Sequence, residues 1–325
     1  MPDHPFARLT PDIVLDAVES LGLISDARVL TLNSYENRVF QVGIEDSEPL
    51  IAKFYRPDRW SDAQILEEHN LSFELAELDI PLVAPIQYKN QSLFEYADFR
   101  FCLFERRGGR APEPGDLDQL YRLGQLLGRL HAVGAKQNFI ERPELNIATY
   151  GQASFDFLSN SDHLPNNLRT EWQSVVTELL EQVTALFAEH PYTAIRIHGD
   201  CHPGNLLCRD ESFFIVDLDD CRMGPAVQDL WMMLTGSYQE QTLQLSELVS
   251  GYEEFHDFST RELPLIEGLR TLRLLHYSAW LARRWSDPTF PNSFAWFGTE
   301  HYWQEQIAIL REQKIALKQP YLKLF

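Results

Sequence analysis

The sequence lacks an apolar segment long enough to cross a membrane. A transmembrane helix needs about 20 consecutive apolar residues, and the apolar runs here are short, such as Leu230–Leu234. Residues 1–5 (MPDHP) also lack the basic start and apolar stretch that mark a secretory signal. The sequence therefore predicts a cytoplasmic protein that does not associate with membranes.

Basic residues are scarce relative to acidic ones. Lysine and arginine total 28 against 48 aspartate and glutamate residues, so the formal net charge is −20 at pH 7. A chain of this charge repels the phosphate backbone of nucleic acids, which argues against nonspecific DNA or RNA binding. The excess of carboxylates either attracts a cationic substrate or only keeps the protein soluble.

Cysteine is also scarce, with 4 residues in 325, and this favours reduced thiols over a disulfide framework. Two of the cysteines lie close to two histidines in the sequence, so a zinc site is one interpretation. Its ligands would be His198, Cys201, His202 and Cys208. However, their spacing does not repeat a familiar zinc finger or knuckle, and a zinc site leaves the neighbouring Asp200 and Asn205 without a role.

Two familiar glycine motifs for phosphate binding are absent. No Gly-x-Gly-x-x-Gly precedes Lys53, and no Gly-x-x-x-x-Gly-Lys-Ser/Thr occurs anywhere in the chain. A phosphate-covering turn is therefore expected at residues 33–38 (NSYENR). Ser34 and the backbone amides around it are expected to donate hydrogen bonds to phosphate.

Strand patterns dominate the first third of the chain, and helical patterns dominate the remainder. Short β-rich runs occur at 29–32, 38–44, 50–55, 82–87, 92–95 and 99–104. Later helical patterns cover 117–132, 168–188, 226–237, 243–255, 263–285 and 300–317, and later strand patterns only 194–197 and 213–216. N-caps at Thr10 and Ser61 begin two earlier helices. The sequence predicts an α+β fold with a small β-rich N-lobe (1–105) and a larger, mainly helical C-lobe (106–325).

The residues that follow the two C-lobe strands have the spacing of a kinase catalytic site. The first strand leads into residues 198–205 (HGDCHPGN), where an Asp stands two residues after the His and an Asn five residues after the Asp. The second strand leads into Asp217, at the position of the kinase metal-binding aspartate. Ordinary turn residues are the alternative, but both motifs in order favour a phosphotransferase with a protein-kinase-like two-lobed fold.

Phosphoryl transfer explains why these residue types are needed. Mg²⁺ neutralises the nucleotide phosphates, and it prefers hard oxygen ligands, which Asn205 and Asp217 supply. Asp200 is then available to orient the attacking hydroxyl and to accept its proton. The sequence thus predicts ATP and Mg²⁺ as cofactors, with Asp200 and Asp217 as catalytic residues and Asn205 and Asp217 as metal ligands.

The N-lobe is expected to supply further contacts to the nucleotide. Lys53 lies within an apolar strand and resembles the strand lysine that binds phosphates in kinases. It needs a carboxylate partner, and Glu68 is preferred over Glu67 because it lies beside the apolar face of the following helix. The connector from Glu105 to Arg107 is expected to bind adenine through its main chain.

Longer segments resemble one bacterial kinase family. The catalytic and metal motifs resemble the aminoglycoside phosphotransferase and choline kinase superfamily, and further segments resemble the narrower stress response kinase A family. These segments are 32–39 (LNSYENRV), 53–57 (KFYRP), 64–69 (QILEEH), 224–232 (GPAVQDLWM) and 280–285 (WLARRW). Because they are spread along most of the chain, a chance match is disfavoured.

The resemblance implies a cytoplasmic kinase that uses ATP and Mg²⁺ to phosphorylate serine and threonine residues of proteins in a stress response. By motif position it assigns the proton acceptor to Asp200, the magnesium ligands to Asn205 and Asp217, and an ATP-contacting serine to Ser34. Two other functions stay open: a kinase of a small hydroxylated metabolite or antibiotic, and a pseudokinase that only binds nucleotide. The expected partner is a protein substrate or a small hydroxylated molecule, and the enzyme is expected to be a monomer.

The sequence departs from ordinary protein kinases after the metal motif. Asp217-Leu218-Asp219 stands where Asp-Phe-Gly is usual, and only 11 residues separate Asp217 from Asp229. This spacing leaves no room for an activation loop. Asp229, which begins a helical pattern, is expected to cap backbone amides of the catalytic loop.

Overall fold

The computed structural model describes residues 4–209 and 212–325. The strands are β1 (Ser25–Thr31), β2 (Arg38–Ile44), β3 (Leu50–Phe54), β4 (Phe94–Tyr96), β5 (Phe99–Glu105), β6 (Ile195–Ile197), β7 (Leu206–Arg209), β8 (Ser212–Ile215) and β9 (Arg222–Gly224). The helices are α1 (Pro11–Glu19), α2 (Asp62–Glu77), α3 (Leu117–Gly134), α4 (Ala153–Ser159), α5 (Asn166–Glu189), α6 (Gln228–Trp231), α7 (Tyr238–Tyr252), α8 (Ile266–Arg283), α9 (Thr289–Ser293) and α10 (Glu300–Ala316). Among the described residues, no helix is both long and apolar enough to span a membrane.

The chain divides into two compact units, each formed by several chain segments. The first unit consists of Met1–Pro112, Phe139–Arg142 and His202–Cys221. The second unit consists of Glu113–Asn138, Pro143–Cys201 and Arg222–Phe325. The first unit thus includes short segments that follow residue 105, and the proposed lobe boundary at that residue stays a prediction.

A five-stranded antiparallel sheet forms the centre of the first unit. Its strand order is β1-β2-β3-β5-β4. Aromatic residues, which suit a half-buried pleated surface, pack on it; the rings of Phe54 and Phe101 stack with centroids 5.3 Å apart. Lys53 is paired with Val39 on one neighbouring strand and with Cys102 on the other. The lysine therefore lies on the central strand rather than at a sheet edge.

A hairpin of β7 and β8 also belongs to the first unit. The carbonyl of Ile215 accepts a hydrogen bond from the Val83 amide at 3.0 Å, which connects the hairpin to the segment after α2. Antiparallel pairing places the start of one strand beside the end of the other. Asn205 immediately precedes the hairpin and Asp217 closely follows it, so the two residues lie at the same end of the hairpin. There the Val216 amide donates a hydrogen bond to the Asn205 carbonyl at 3.1 Å.

Glycines allow α3 and α7 of the second unit to pack with their backbones in contact. A Cβ atom added at Gly124 would lie 1.9 Å from the carbonyl oxygen of Leu248. One added at Gly128 would lie 2.4 Å from the carbonyl oxygen of Tyr252. Because neither contact is with a movable side chain, no residue larger than glycine fits there without displacing a helix. This close packing positions α3, whose buried His131 supports the catalytic loop described below.

The α+β class and the main elements predicted from the sequence are confirmed. Thr10 caps α1, and Ser61 forms a capping box with Gln64 at the start of α2. The predicted strand 82–87 is wrong, because only isolated bridges form there. The prolines immediately before it and within it have no amide hydrogen to donate to a ladder.

The other errors concern short elements of the second half of the chain. The predicted helix 226–237 is wrong in its extent, since helical structure there is restricted to α6. The strands β7 and β9 and the helices α4 and α9 are outside the predicted elements. Segments of 3 to 7 residues contain too few positions to establish a helical or strand period.

We expect Gly124→Ala to lower the free energy of unfolding by about 1–3 kcal/mol, the usual effect of overpacking a tight contact. Helix propensity alone would change the stability in the opposite direction by about 1 kcal/mol. Urea unfolding followed by circular dichroism measures the difference. Gly108→Ala is the matched control, because its added methyl group meets no atom within 4 Å. Equal or higher stability of Gly124→Ala would contradict the packing described for α3 and α7.

Candidate active site

Lys53 is the centre of a buried charge cluster in the first unit. Its side chain is 6% exposed. The Lys53 Nζ atom lies 3.1 Å from Asp217 Oδ1, 3.1 Å from Asp219 Oδ1 and 3.4 Å from Glu68 Oε1. Burial opposes the charged form, but the three carboxylates together raise the pKa of Lys53 well above its usual range. The ammonium group is therefore a permanent positive charge on the central strand.

Glu68 is the carboxylate of α2 that pairs with this lysine, as the helical spacing predicts. It has a second partner, because Arg142 Nη2 donates to Glu68 Oε2 at 2.9 Å. The carboxylate of Glu67 points elsewhere and accepts the backbone amides of Ile140, Glu141 and Arg142 at 2.7–3.0 Å. Glu68 thus pairs with Lys53, and Glu67 binds the backbone of the short segment that contains Arg142.

We call residues 217–220 the metal segment, because Asp217 is a predicted metal ligand. Of its three aspartates, Asp217 and Asp219 lie in contrasting surroundings. The Asp217 side chain is 51% exposed, whereas that of Asp219 is 4% exposed. Burial would raise the pKa of Asp219, but Arg59 and Lys53 lower it to about 2. Asp219 is therefore an ionised structural carboxylate that balances cations, and Asp217 is the carboxylate with access to a ligand.

The backbone of Asp217 adopts a left-handed conformation, with φ 59° and ψ 66°. Outside glycine this region is uncommon and costs free energy, although aspartate and asparagine tolerate it better than most residues. Such strain persists where the surroundings impose it, often at functional sites. Here the left-handed residue lies between the end of β8 and the short helical turn Leu218–Asp220.

The oxygen donors of Asp217 and Asn205 are chemically suited to Mg²⁺. This ion commonly binds one or two protein carboxylates and completes its shell with phosphates and water. Within residues 4–209 and 212–325, no group of three or more His, Cys, Asp or Glu side chains is arranged to hold a metal alone. The donors present fit a metal that is shared with a nucleotide better than a closed structural site.

The remaining N-terminal candidates, Ser34, Glu105 and Arg107, all lie on the first unit. Ser34 is half-buried in the turn between β1 and β2, and Glu105 is exposed at the end of β5. Arg107 places its guanidinium 4.3 Å from the centroid of the Phe214 ring. Their contacts to nucleotide stay predictions.

The catalytic loop is held within the second unit by contacts to its backbone. The Asp229 carboxylate accepts the backbone amides of His198 at 2.7 Å and of Gly199 at 2.9 Å. Gln228 Nε2 donates to the Gly199 carbonyl at 3.1 Å. The predicted capping role of Asp229 is therefore confirmed, and it fixes the backbone immediately before Asp200.

A buried histidine completes this support. His131 Nε2 lies 3.0 Å from Asp229 Oδ2, and His131 Nδ1 lies 2.9 Å from the Tyr252 hydroxyl. Burial opposes ionisation of Asp229, but the hydrogen bond from His131 keeps the pKa of this carboxyl below its usual range. An ionised carboxylate accepts backbone amides more strongly than a neutral carboxyl.

Asp200 has one partner that sequence reasoning missed. The Arg273 guanidinium, on α8, donates to Asp200 Oδ1. The two residues are 73 positions apart, so no local spacing signals the pair. Arg273 orients the carboxylate of Asp200 while both side chains keep partial exposure, at 38% and 24%.

The comparisons with known proteins agree with these features. Residues 28–265 match the model of the phosphotransferase enzyme family. The chain therefore belongs to this family. It is 44% identical over 319 residues to stress response kinase A of Escherichia coli strain K12, covering 98% of this chain and 97% of that protein. Within the phosphotransferase enzymes it thus belongs to the stress response kinase A family.

Two further proteins show the range of the similarity. The serine/threonine protein kinase RdoA of Salmonella typhimurium strain LT2 is 41% identical over 319 residues, covering 98% of this chain and 97% of that protein. A solved structure of amicoumacin kinase with AMP-PNP, Ca²⁺ and Ami has a TM-score of 0.71 and 18% identity, covering 92% of this chain and 93% of that one. The solved structure shows that the fold is shared, and the predicted kinase-like fold is confirmed.

His69 follows Glu68 on α2 and is fully buried. Its Nε2 atom lies 2.8 Å from the Tyr55 hydroxyl, and its Nδ1 atom lies 2.8 Å from the Ser92 hydroxyl. Burial, reinforced by the positive charges of Lys53 and Arg142, lowers the pKa of His69 to about 3. The ring is therefore neutral in the folded protein at any pH above this value.

This histidine predicts a specific acid sensitivity. In the unfolded chain His69 binds a proton below its ordinary pKa of 6.5, so stability is complete above that value and falls as the pH is lowered towards 3. Between pH 7.5 and 5.0 the wild type should lose roughly 2 kcal/mol more than His69→Gln. Urea unfolding at both pH values measures this. His301→Gln, at an exposed histidine, should behave as wild type; equal pH dependence of all three proteins would refute the prediction.

Proposed function

We propose that this protein is an ATP- and Mg²⁺-dependent kinase that phosphorylates serine and threonine residues of proteins. The observation that most strongly supports kinase chemistry is Lys53, held within 3.1 Å of Asp217 and within 3.4 Å of Glu68. Kinases use such a strand lysine and helix glutamate to place nucleotide phosphates. A protein acceptor is supported by the name of the 41% identical Salmonella relative.

Nucleotide binding is assigned to side chains of the first unit. Lys53 would bind the phosphates, and Glu68 would hold the lysine in place from α2. Asn205 and Asp217 would hold Mg²⁺, which when bound supplies positive charge that neutralises the phosphates during transfer. Asp219 keeps its own charge balanced by neighbouring cations, so it supports the segment without serving as the open ligand.

Proton transfer is assigned to Asp200 in the second unit. Its carboxylate would accept a hydrogen bond from the acceptor hydroxyl and take its proton as the hydroxyl oxygen bonds to the γ-phosphorus of ATP. The bond from that phosphorus to the bridging oxygen would break at the same time, and ADP would leave with the bonding electrons. Arg273 orients this carboxylate, and Asp229 holds the loop backbone that precedes it. The base therefore keeps its direction without depending on the substrate to place it.

The remaining nucleotide contacts follow from position in the chain. Ser34 and its neighbouring amides would donate to phosphate oxygens, as turns rich in free amides do. The main chain from Glu105 to Arg107, directly after β5, would bind adenine by backbone hydrogen bonds. The side chains of this connector are exposed and are free to vary under this assignment.

The nature of the acceptor separates this proposal from its alternatives. Amicoumacin kinase has the same fold, but fold alone does not determine the acceptor. A pseudokinase is disfavoured because Lys53, Asp200, Asn205 and Asp217 are all present. The name of the 41% identical Salmonella relative, a serine/threonine protein kinase, supports the protein acceptor over a small molecule.

Purified protein with γ-labelled ATP should transfer label to serine and threonine residues in the protein fraction of an Escherichia coli lysate. Asp200→Asn should slow this transfer by roughly 10²- to 10⁴-fold, the usual contribution of a catalytic base, while nucleotide binding is retained. Acid hydrolysis and phosphoamino-acid analysis measure the label, with the small-molecule fraction assayed separately. Label confined to small molecules would reject the protein-kinase proposal in favour of a metabolite kinase.

Asp217→Asn should weaken Mg²⁺-dependent nucleotide binding by roughly 10- to 100-fold, because a charged contact is lost. Asparagine tolerates the left-handed backbone, so the change tests charge rather than strain. Asp46→Asn is the matched control, since Asp46 also has a positive φ of 54° but lies in an exposed turn. Titration calorimetry with AMP-PNP, with and without Mg²⁺, measures the affinities. Unchanged Mg²⁺ dependence in Asp217→Asn would remove Asp217 from the metal site.

A further inference from the structure

The turn at residues 33–38 must hold its shape without glycine. Glycine-rich phosphate loops rely on small residues that let the backbone approach the ligand, and this turn contains no glycine. Arg56, a buried residue two positions after the end of β3, fixes the shape of this turn by hydrogen bonds. Its backbone amide donates to Asn37 Oδ1 at 3.0 Å, and its Nε atom donates to the Glu36 carbonyl at 2.9 Å. The turn is therefore shaped by side-chain contacts.

The Glu36 carboxylate, at the tip of this turn, lies between two guanidinium groups. Its Oε1 atom is 3.0 Å from Arg56 Nε, and its Oε2 atom is 3.7 Å from Arg59 Nη1. The Glu36 side chain is only 13% exposed. Ion pairs screened from water in this way are stronger than exposed surface pairs.

Arg59 connects this turn to the metal segment. Its Nη2 atom lies 2.8 Å from Asp220 Oδ1, and its Nη1 atom contacts Asp219 Oδ2. Burial opposes the charge of Arg59, but Asp219, Asp220 and Glu36 raise its pKa well above the usual range. We call these four residues, Glu36, Arg59, Asp219 and Asp220, the arginine bridge. All belong to the first unit.

We infer that Arg59 is a positioning residue that couples the turn 33–38 to the metal segment 217–220. Without it, the carboxylates of Glu36, Asp219 and Asp220 would face one another with less compensation, and like charges at this range repel. Lysine is not an equivalent replacement, because its compact ammonium lacks the planar fork of donors that a guanidinium presents in fixed directions. The assignment of nucleotide and metal to these segments rests on the proposed function, but the ion pairs do not.

The contacts of the arginine bridge are unequal in length, so the metal segment controls the position of Arg59 more strongly than the turn does. Arg59 lies 2.8 Å from Asp220 but 3.7 Å from Glu36. The longer contact is the weaker one, so Arg59 is held more firmly by the metal segment than by the turn. Charge placed on the metal segment thus changes how firmly Arg59 holds the turn, so that phosphate contacts and metal contacts form together.

Hydrogen exchange of the ligand-free protein tests the bridge without nucleotide or activity. Amides of residues 33–38 should exchange roughly tenfold faster in Glu36→Gln and in Arg59→Gln, the expected effect of losing an ion pair that is screened from water. The effect of the double variant should be smaller than the product of the two single effects, because both substitutions break the link between Glu36 and Arg59 while each also removes a contact of its own. Arg100→Gln is the matched control, since its ion pair to Asp62, at 2.8 Å, is outside the bridge. Wild-type exchange of the turn in Arg59→Gln would overturn the inference.

Calorimetric titration with Mg²⁺ and AMP-PNP then tests the coupling. Each single variant should bind roughly tenfold more weakly, and the loss in the double variant should be smaller than the product of the two single losses. Effects that multiply in the double variant would overturn the coupling.

If wild type does not bind Mg²⁺-nucleotide, the proposed function fails, and hydrogen exchange alone decides the bridge. If Arg59→Gln does not fold, Glu36→Gln decides, because it leaves Arg59 with both aspartates; wild-type exchange and affinity in that variant would also overturn the inference.

Discussion

A buried ammonium group surrounded by carboxylates organises the first unit. Removing a charge from water costs several kcal/mol unless partners of opposite charge are well placed, and Lys53 has three carboxylates within 3.4 Å. These come from α2 and from the metal segment, which are far apart in the chain. One charge on the central strand therefore determines where a helix and a loop must lie. Those elements in turn hold the lysine that is proposed to bind phosphate.

Two arginines extend this arrangement over the same unit. Arg142 joins Glu68 to the carbonyl oxygens of Asp219 and Cys221, and Arg59 joins the aspartates to the turn after β1. Each planar guanidinium reaches two elements at once with donors held in fixed directions. We attribute to this network a defined geometry rather than a large gain in stability, because desolvation offsets much of the attraction between buried charges.

The second unit uses a buried carboxylate for a related purpose. Asp229 has no exposed surface and satisfies two loop amides and one histidine. In both units, then, charged side chains that do not react hold the groups proposed to react. The fold that carries these contacts is shared with amicoumacin kinase at only 18% identity. The acceptor itself depends on residues outside this common framework.

The sequence by itself determined the parts of this protein whose signals are local, and only the tertiary structure decided which long side chains support them. Strand and helix periods, the two N-caps, the spacing around Asp200 and the choice of Glu68 over Glu67 all depend on residues within a few positions of one another. By contrast, Arg142 reaches Glu68 across 74 positions, and Arg273 reaches Asp200 across 73. An arginine has the same local signature whether it is solvated or buried against a carboxylate, because its partner is chosen by packing rather than by spacing. Short paired strands such as β9 were hidden for the same reason, since their pairing partners are remote in the chain.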